Sequence, residues 1–199
     1  MKTVAPSGFS SLTVADLCDT ISAETSAPGG GSVAAITGAL AASLAAMAAR
    51  FSKEQWEDAP GAVAQAETLK ARLLPLAEED ARAYENVLFA LRMPKDVDEE
   101  SRDAAIGDAL SHAADVPMAI AEAAVDVATL ACELGQRGNP NLHGDAVAAV
   151  FLAEAAVRTS ANLVEINLGT REGDERLDRA RDLVETVRRI SRRALEPPG

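Results

Sequence analysis

Nearly every stretch of this chain repeats its apolar residues with helical spacing, and almost none alternates apolar and polar residues with period two. Of the 199 residues, 48% are hydrophobic but only 3% are aromatic, so alanine and aliphatic side chains must fill the core. Side chains this small allow neighbouring helices to approach closely. The sequence predicts an all-α fold, a single-domain up-and-down bundle of about six to seven helices.

The helix boundaries are predicted from capping residues, glycines and prolines. The fourth segment starts after Asp98 and is either kinked or divided at Pro117, and Pro75 is expected to kink the third. Residues 1–199 form one predicted domain, with 1–11 and 196–199 as flexible ends. The predicted segments are 13–24, 32–51, 61–91, 98–138, 144–168 and 174–195.

Composition excludes several classes of protein. A net charge of −12 argues against a nucleic-acid surface, which needs clustered Lys and Arg. Cys18 and Cys132 are too few for a disulfide scaffold, and both are predicted to be reduced core residues. The uncharged run 27–49 is long enough to cross a bilayer, but its Ala, Gly and Ser content favours a buried helix. With no secretory signal visible in residues 1–11, a cytoplasmic location is expected.

Two glycine-punctuated segments, 28–32 and 138–145, each open a nearly uncharged helix. A helix N-terminus offers unpaired N–H groups and a partial positive charge, so such junctions favour anionic groups. One glycine of the first segment is expected at positive φ, and another where a ligand leaves no room for a Cβ. The candidate binding residues are Gly29, Gly30, Gly31, Ser32, Asn139 and Asn141.

Asp80 interrupts the apolar stripe of the third predicted helix, which consists of Leu69, Leu73, Leu76, Tyr84, Val87 and Leu91. A carboxyl group buried without a partner has a raised pKa, which suits a proton donor or acceptor. Tyr84 follows one turn later on the same face. The alternative is a structural Asp80 that is bonded to backbone or to an arginine.

Asp145 is the second candidate acid, and position alone also fits a helix cap stabilised by the dipole. Glu154 is predicted to pair with Arg158 one turn on. No metal is expected, because His112 and His143 are the only histidines and no Glu-x-x-His or Cys/His cluster occurs.

Taken together, these motifs resemble the cyclodeaminase/cyclohydrolase family. The resemblance rests on the order and spacing of several segments between Ala27 and Leu168. They are Ala27-Pro28-Gly29-Gly30-Gly31-Ser32-Val33-Ala34-Ala35, Gly38-Ala39-Leu40-Ala41-Ala42, Glu79-Asp80-Ala81-Arg82-Ala83-Tyr84, Gly138-Asn139-Pro140-Asn141, Asp145-Ala146, Ala161-Asn162 and Ile166-Asn167-Leu168. Gly144 departs from the family, which usually places Ser or Thr there.

The resemblance implies a homodimeric, all-helical enzyme that uses a tetrahydrofolate derivative as substrate and needs no further cofactor. It places the substrate in a cleft between the glycine-rich segment and the Asn/Asp loop. Asp145 would stabilise the cationic one-carbon bridge, and Asp80 with Tyr84 would supply or take protons. The sequence leaves open whether the reaction is hydrolysis of methenyltetrahydrofolate or cyclodeamination of formiminotetrahydrofolate.

The alternative from another class is a non-catalytic helical bundle that binds or organises partner proteins. That hypothesis predicts Asp80 and Asp145 far apart, whereas the enzyme hypothesis predicts both beside one cleft.

Overall fold

The computed structural model describes residues 8–94, 98–169 and 173–197. Within those ranges the chain is all-α, with six helices and no strand, as the periodicity predicts. Of the predicted flexible ends, residues 1–7 and 198–199 lie outside the described part, and Phe9–Ser11 form a 3₁₀ turn against the third helix. The helices are α1 (Val14–Ser22), α2 (Gly30–Arg50), α3 (Ala59–Leu91), α4 (Glu99–Arg137), α5 (His143–Leu168) and α6 (Glu175–Ala194).

Helix α2 occupies the middle of the bundle and packs against α3, α4 and α5. Its small residues permit this close packing. A Cβ added at Gly38 would lie 3.2 Å from Leu73 of α3 and 3.7 Å from Ala156 of α5. The bilayer-length run predicted to be a buried helix is therefore the central helix of the bundle, and 61% of its most apolar window is buried.

Of the two alternatives predicted at Pro117, a kink or a division, the structure excludes the division of α4. The helix continues from Glu99 to Arg137 with Pro117 buried inside it. Pro75 likewise lies within the single helix α3. A proline removes one backbone hydrogen bond, but packing on both sides of the position keeps these long helices continuous.

Helix α1 is short, ends at Ser22 and has no buried residue. Thr13 caps it, as predicted, by accepting a hydrogen bond from the Asp16 N–H. Val14 is 79% exposed, and Cys18 is exposed, so the prediction that both cysteines lie in the core is wrong for Cys18 and right for Cys132. The helix carries apolar residues that the rest of the described chain does not cover.

Arg176 joins the start of α6 to α4. Its guanidinium donates to the Ser111 carbonyl at 2.9 Å and pairs with Asp115 at 2.5 Å and Asp174 at 2.7 Å. We predict that Arg176→Ala lowers the free energy of unfolding by about 1–3 kcal/mol, the usual cost of losing charge-assisted hydrogen bonds. Arg179→Ala removes only an exposed pair with Glu122 at 3.4 Å and should cost less than about 1 kcal/mol in the same urea titration. Equal losses in the two variants would contradict this role.

Candidate active site at the N-terminus of α2

A cavity of about 300 Å³ opens where the chain enters α2. The loop before α2, the first turn of α2 and the middle of α3 form most of its wall, and α4 and the last turns of α5 complete it. The lining residues are Ser26, Ala27, Gly29, Gly30, Gly31, Asp80, Ala81, Ala83, Tyr84, Ala113, Leu163, Ile166 and Asn167.

Asp80 sits directly against the first turn of α2. A Cβ added at Gly31 would lie 2.0 Å from Asp80 Oδ1, so only glycine allows the carboxylate this close to the helix end. The fully buried Ser32 hydroxyl lies 2.8 Å from the Ala77 carbonyl and 3.2 Å from Asp80 Oδ2. The structure therefore holds Asp80 between a helix N-terminus and a buried hydroxyl, and no arginine pairs with it among the described residues.

The pKa of Asp80 is raised above its ordinary value because burial penalises the charged form, while hydrogen bonds from Ser32 oppose this rise. The hydroxyl hydrogen of Ser32 can be donated either to the Ala77 carbonyl or to the Asp80 carboxylate. When it points to Ala77, a protonated Asp80 can donate to Ser32 Oγ. Asp80 is thus placed to gain and lose a proton within one hydrogen-bond network.

The three glycines of the loop differ from expectation in their backbone. Gly29 has φ −112° and the only described glycine with positive φ is Gly173, so the predicted positive φ in this segment is wrong. The predicted close approach is present at Gly31, although the neighbour is Asp80 rather than a ligand. Gly30 borders the cavity, and a Cβ there would meet no protein atom within 4 Å.

We predict that Gly30→Ala weakens binding of the tetrahydrofolate derivative that the resemblance implies at least tenfold, and leaves the melting temperature unchanged or slightly higher. The added methyl group would project into open space beside the cavity, and alanine is the better helix former. Calorimetric titration and thermal melting of the same variant measure both quantities. Unchanged affinity would reduce the glycine segment to a connector.

Tyr84 borders the same cavity and is 47% exposed, so its phenol lies at the mouth rather than in the core.

Sequence reasoning did not select Asn167, which lines the cavity and donates from Nδ2 to the Ala113 carbonyl at 2.8 Å. The signal was an asparagine in the last turn of a helix, where it has poor helix propensity. Leu163 and Ile166 add apolar surface beside it.

Asn139, Asn141 and Asp145 lie at the other end of the bundle. Asn139 donates from Nδ2 to the Phe51 carbonyl at the C-terminus of α2, and its Oδ1 accepts from the Asn141 N–H at 3.0 Å. The Asn139 N–H also donates to Ser52 Oγ at 2.9 Å. Asp145 is half-buried in the first turn of α5.

His143 and Gly144 have distinct settings in this loop. His143 Nδ1 lies 3.0 Å from the Gly135 carbonyl, which only accepts, so the ring donates to the end of α4. A Cβ at the exposed Gly144 would meet nothing within 4 Å, so the serine or threonine usual in the family would fit there without rearrangement.

The two groups of candidate residues do not share a cleft within one chain. We call the end with Gly29–Ser32, Asp80 and Tyr84 the glycine end, and the end with Asn139, Asn141 and Asp145 the asparagine end. Helix α2 has 21 residues and runs from one to the other, which separates them by about 30 Å. The expectation of one cleft is therefore wrong for the single chain, because antiparallel packing of α2 and α5 puts their N-termini at opposite ends.

One smaller prediction can be checked at another position. The ion pair of Glu154 with Arg158 is confirmed at 3.5 Å. In the described ranges, no group of three or more His, Cys, Asp or Glu side chains is arranged to hold a metal ion.

Comparison with known proteins assigns the class. A family model described as formiminotransferase-cyclodeaminase matches residues 13–186. The methenyltetrahydrofolate cyclohydrolase of Methylorubrum extorquens is 33% identical over 163 residues, which cover 78% of each chain. The formimidoyltransferase-cyclodeaminase of Sus scrofa is 33% identical over 156 residues, which cover 74% of this chain and 29% of that protein. The crystal structure of formiminotetrahydrofolate cyclodeaminase from Thermotoga maritima superimposes with a TM-score of 0.81 at 26% identity, covering 94% of this chain and 96% of that one.

Fold and relatives together define a class of helical enzymes of folate metabolism. The chain belongs to the cyclodeaminase/cyclohydrolase family within that class, as its motifs indicated.

Proposed function

We propose that this protein acts on the one-carbon bridge of tetrahydrofolate. The reaction is hydrolysis of 5,10-methenyltetrahydrofolate to 10-formyltetrahydrofolate or, at the same site, cyclodeamination of formiminotetrahydrofolate. Similarity to relatives named for each activity supports this pair of reactions.

The observation that carries the proposal is Asp80. It is a half-buried carboxyl group with a raised pKa, it faces a cavity, and it lies at a helix N-terminus with a buried hydroxyl as partner. A group with such a pKa can exchange protons with a substrate near neutral pH more readily than an ordinary aspartate.

In the hydrolysis, water adds to the bridge carbon of the amidinium-like cation and loses one proton. The bond from that carbon to N5 then breaks as N5 takes a proton and the hydroxyl on the carbon loses its own, which leaves a formyl group on N10 and releases one proton overall. We assign to Asp80 the transfer of the proton from water to N5, and to its anion the stabilisation of the cationic bridge. Tyr84, at the cavity mouth, is available to orient the attacking water.

In the cyclodeamination, N10 attacks the formimino carbon of the N5 substituent. The resulting tetrahedral carbon loses its exocyclic nitrogen as ammonia after that nitrogen gains a proton, and the methenyl bridge forms. The same carboxyl group meets the same need for proton transfer. Neither reaction transfers electrons, so the proposal needs no redox cofactor.

A non-catalytic bundle also predicts the observed separation of Asp80 from Asp145 in one chain. Membership of a family of enzymes and a cavity beside a carboxyl group of raised pKa favour catalysis instead.

Absorbance in the methenyltetrahydrofolate band tests the proposal directly. Purified protein should bleach the band when given methenyltetrahydrofolate, or should make it appear when given formiminotetrahydrofolate. Glu79→Gln serves as a matched control, because this exposed acid neighbours Asp80 but does not line the cavity. Rates equal to the uncatalysed reactions with both substrates would overturn the proposal.

A further inference from the structure

Pro117 frees a backbone carbonyl inside α4. In an α-helix the carbonyl of Ala113 would accept from the N–H four residues later, but that residue is Pro117, which has no N–H. Ala113 is only 6% exposed, so its carbonyl needs another donor. Pro75 likewise frees the carbonyl of Ala71 in α3, but both of these residues are exposed, so water can bond there.

Asn167 of α5 supplies the donor that Ala113 needs. Its Nδ2 donates to the Ala113 carbonyl at 2.8 Å. Because a carbonyl only accepts, this bond fixes the orientation of the amide, with the nitrogen toward α4 and Oδ1 turned away from it. No group in the described part of the chain donates to Asn167 Oδ1, and the residue lines the cavity. An oriented acceptor is therefore available to a ligand there.

Helix α5 also gives the cavity an apolar surface beside this acceptor. Leu163 and Ile166 precede Asn167 by four and three residues, so all three lie on one side of the helix, and all three line the cavity. Small-molecule sites commonly combine apolar walls with a few fixed polar groups. A planar ring that packs on the two aliphatic side chains would bring a polar edge to Asn167 Oδ1.

The other polar side chains of the cavity are less suited to bind a neutral N–H donor. Among the lining residues of the described chain, Ser26 and Tyr84 are exposed. Asp80 is the group to which the proposed function assigns proton transfer. Asn167 is half-buried, uncharged and fixed in orientation.

The ring of tetrahydrofolate presents an edge of this kind. Its 2-amino group is a hydrogen-bond donor on the pyrimidine side, away from N5 and the one-carbon bridge. A ring whose bridge lies at Asp80 meets the remaining wall of the cavity with that edge, and α4 and α5 form this part of the wall.

We infer that Asn167 Oδ1 accepts a hydrogen bond from the 2-amino group of the pteridine. Pro117 is a positioning residue for this contact, because it keeps the Ala113 carbonyl free to hold the Asn167 amide. The inference rests on the proposed function, since it takes the tetrahydrofolate ring as the ligand.

Two ligands test the hydrogen bond by calorimetric titration: 5-formyltetrahydrofolate and its analogue with a methyl group in place of the 2-amino group. Wild type should bind the analogue about tenfold more weakly, whereas Asn167→Leu should bind both ligands within about twofold of each other. Asn162→Leu is the matched control and should keep the wild-type ratio, because Asn162 is exposed on the same helix and does not line the cavity. This ratio does not depend on the stability of a variant, because both ligands meet the same protein.

Turnover gives a second readout for Asn167→Leu. The variant should raise KM about tenfold and leave kcat within about threefold of wild type, since a contact remote from the bridge contributes equally to the ground state and the transition state.

Pro117→Ala tests the positioning role. Alanine restores an N–H that draws the Ala113 carbonyl back into the helix, so the Asn167 amide is held less well. Affinity for 5-formyltetrahydrofolate should fall about threefold or more in the wild-type background and stay unchanged in the Asn167→Leu background. Pro75→Ala, at the exposed proline of α3, is the control and should leave the affinity unchanged in both.

The outcomes separate this inference from the proposed function. An active wild type that binds both ligands equally, or an Asn167→Leu variant that keeps the wild-type ratio, would overturn the hydrogen bond and leave the proposed function standing. Equal effects of Pro117→Ala in the two backgrounds would overturn the role of Pro117. A wild type that neither binds 5-formyltetrahydrofolate nor shows turnover would overturn the inference and the proposed function together.

Discussion

Asp80→Asn is expected to lower kcat at least a hundredfold and to leave the fold intact. Asparagine has nearly the same shape and can still bond to Ser32, but it neither exchanges a proton nor stabilises the cationic bridge. Steady-state kinetics in the methenyl band measure the loss, and circular dichroism checks the fold. Glu79→Gln, one residue away on the exposed surface, should keep wild-type turnover. An Asp80→Asn variant within twofold of wild type would remove this carboxyl group from the mechanism.

The raised pKa of Asp80 gives this prediction a second readout, in stability. A carboxyl group whose pKa is higher in the folded state stabilises the fold most below its unfolded value, near 3.8, and that contribution is lost as pH rises through the folded pKa. Asp80→Asn should therefore gain stability relative to wild type as pH rises above about 4 in parallel urea titrations. A difference between the two proteins that stays constant with pH would contradict the raised pKa.

Burial raises the pKa of Asp80, and hydrogen bonds from Ser32 limit that rise. Ser32→Ala should move the inflection of the pH–rate profile to higher pH. Ser160→Ala is the matched control, since Ser160 is equally buried but has no hydrogen-bond partner in the described part of the chain. An inflection that moves in both variants, or in neither, would show that the network does not control this titration.

Asp145→Asn is the second change expected to have a large effect, about a hundredfold or more in kcat, because the family resemblance implies that this carboxylate stabilises the cationic bridge. Its place in the first turn of α5 means that the amide keeps most of the packing, so the free energy of unfolding should change by no more than about 1 kcal/mol. Asp178→Asn is the matched control, because Asp178 is also a first-turn acid but lies on the exposed surface of α6. Near-wild-type turnover for Asp145→Asn would show that Asp145 has only a structural role at the N-terminus of α5.

Much of the fold could be predicted from local signals. Helical periodicity, the Thr13 cap and the glycine after α4 located most helix ends to within a few residues. Asp80 was found because a carboxyl group interrupts an apolar stripe. Burial of that stripe is confirmed at Leu69, Leu73, Leu76 and Val87, and is wrong for Tyr84 and Leu91, which are exposed. At Pro117 the sequence left a kink or a division open, and the helix continues because packing across the bundle outweighs the local preference of a proline.

The arrangement of the site could not be predicted in the same way. Each polar loop precedes a helix, but the local sequence does not determine that α2 and α5 run in opposite directions. That direction is set by tertiary packing, and it puts Asn167 rather than Asn139 beside Asp80. A residue near the C-terminus of one helix becomes a neighbour of the N-terminus of another, which spacing along the chain does not reveal.

A crystal structure of the wild-type protein with 5-formyltetrahydrofolate, a stable analogue of the substrates, tests the central claim most directly. We predict that the pteridine occupies the cavity beside Gly29–Ser32, with its one-carbon substituent within hydrogen-bond distance of the Asp80 carboxyl group. A folate bound only elsewhere, for example in the groove beside Trp56 and Arg137, with the Asp80 cavity empty, would contradict the account.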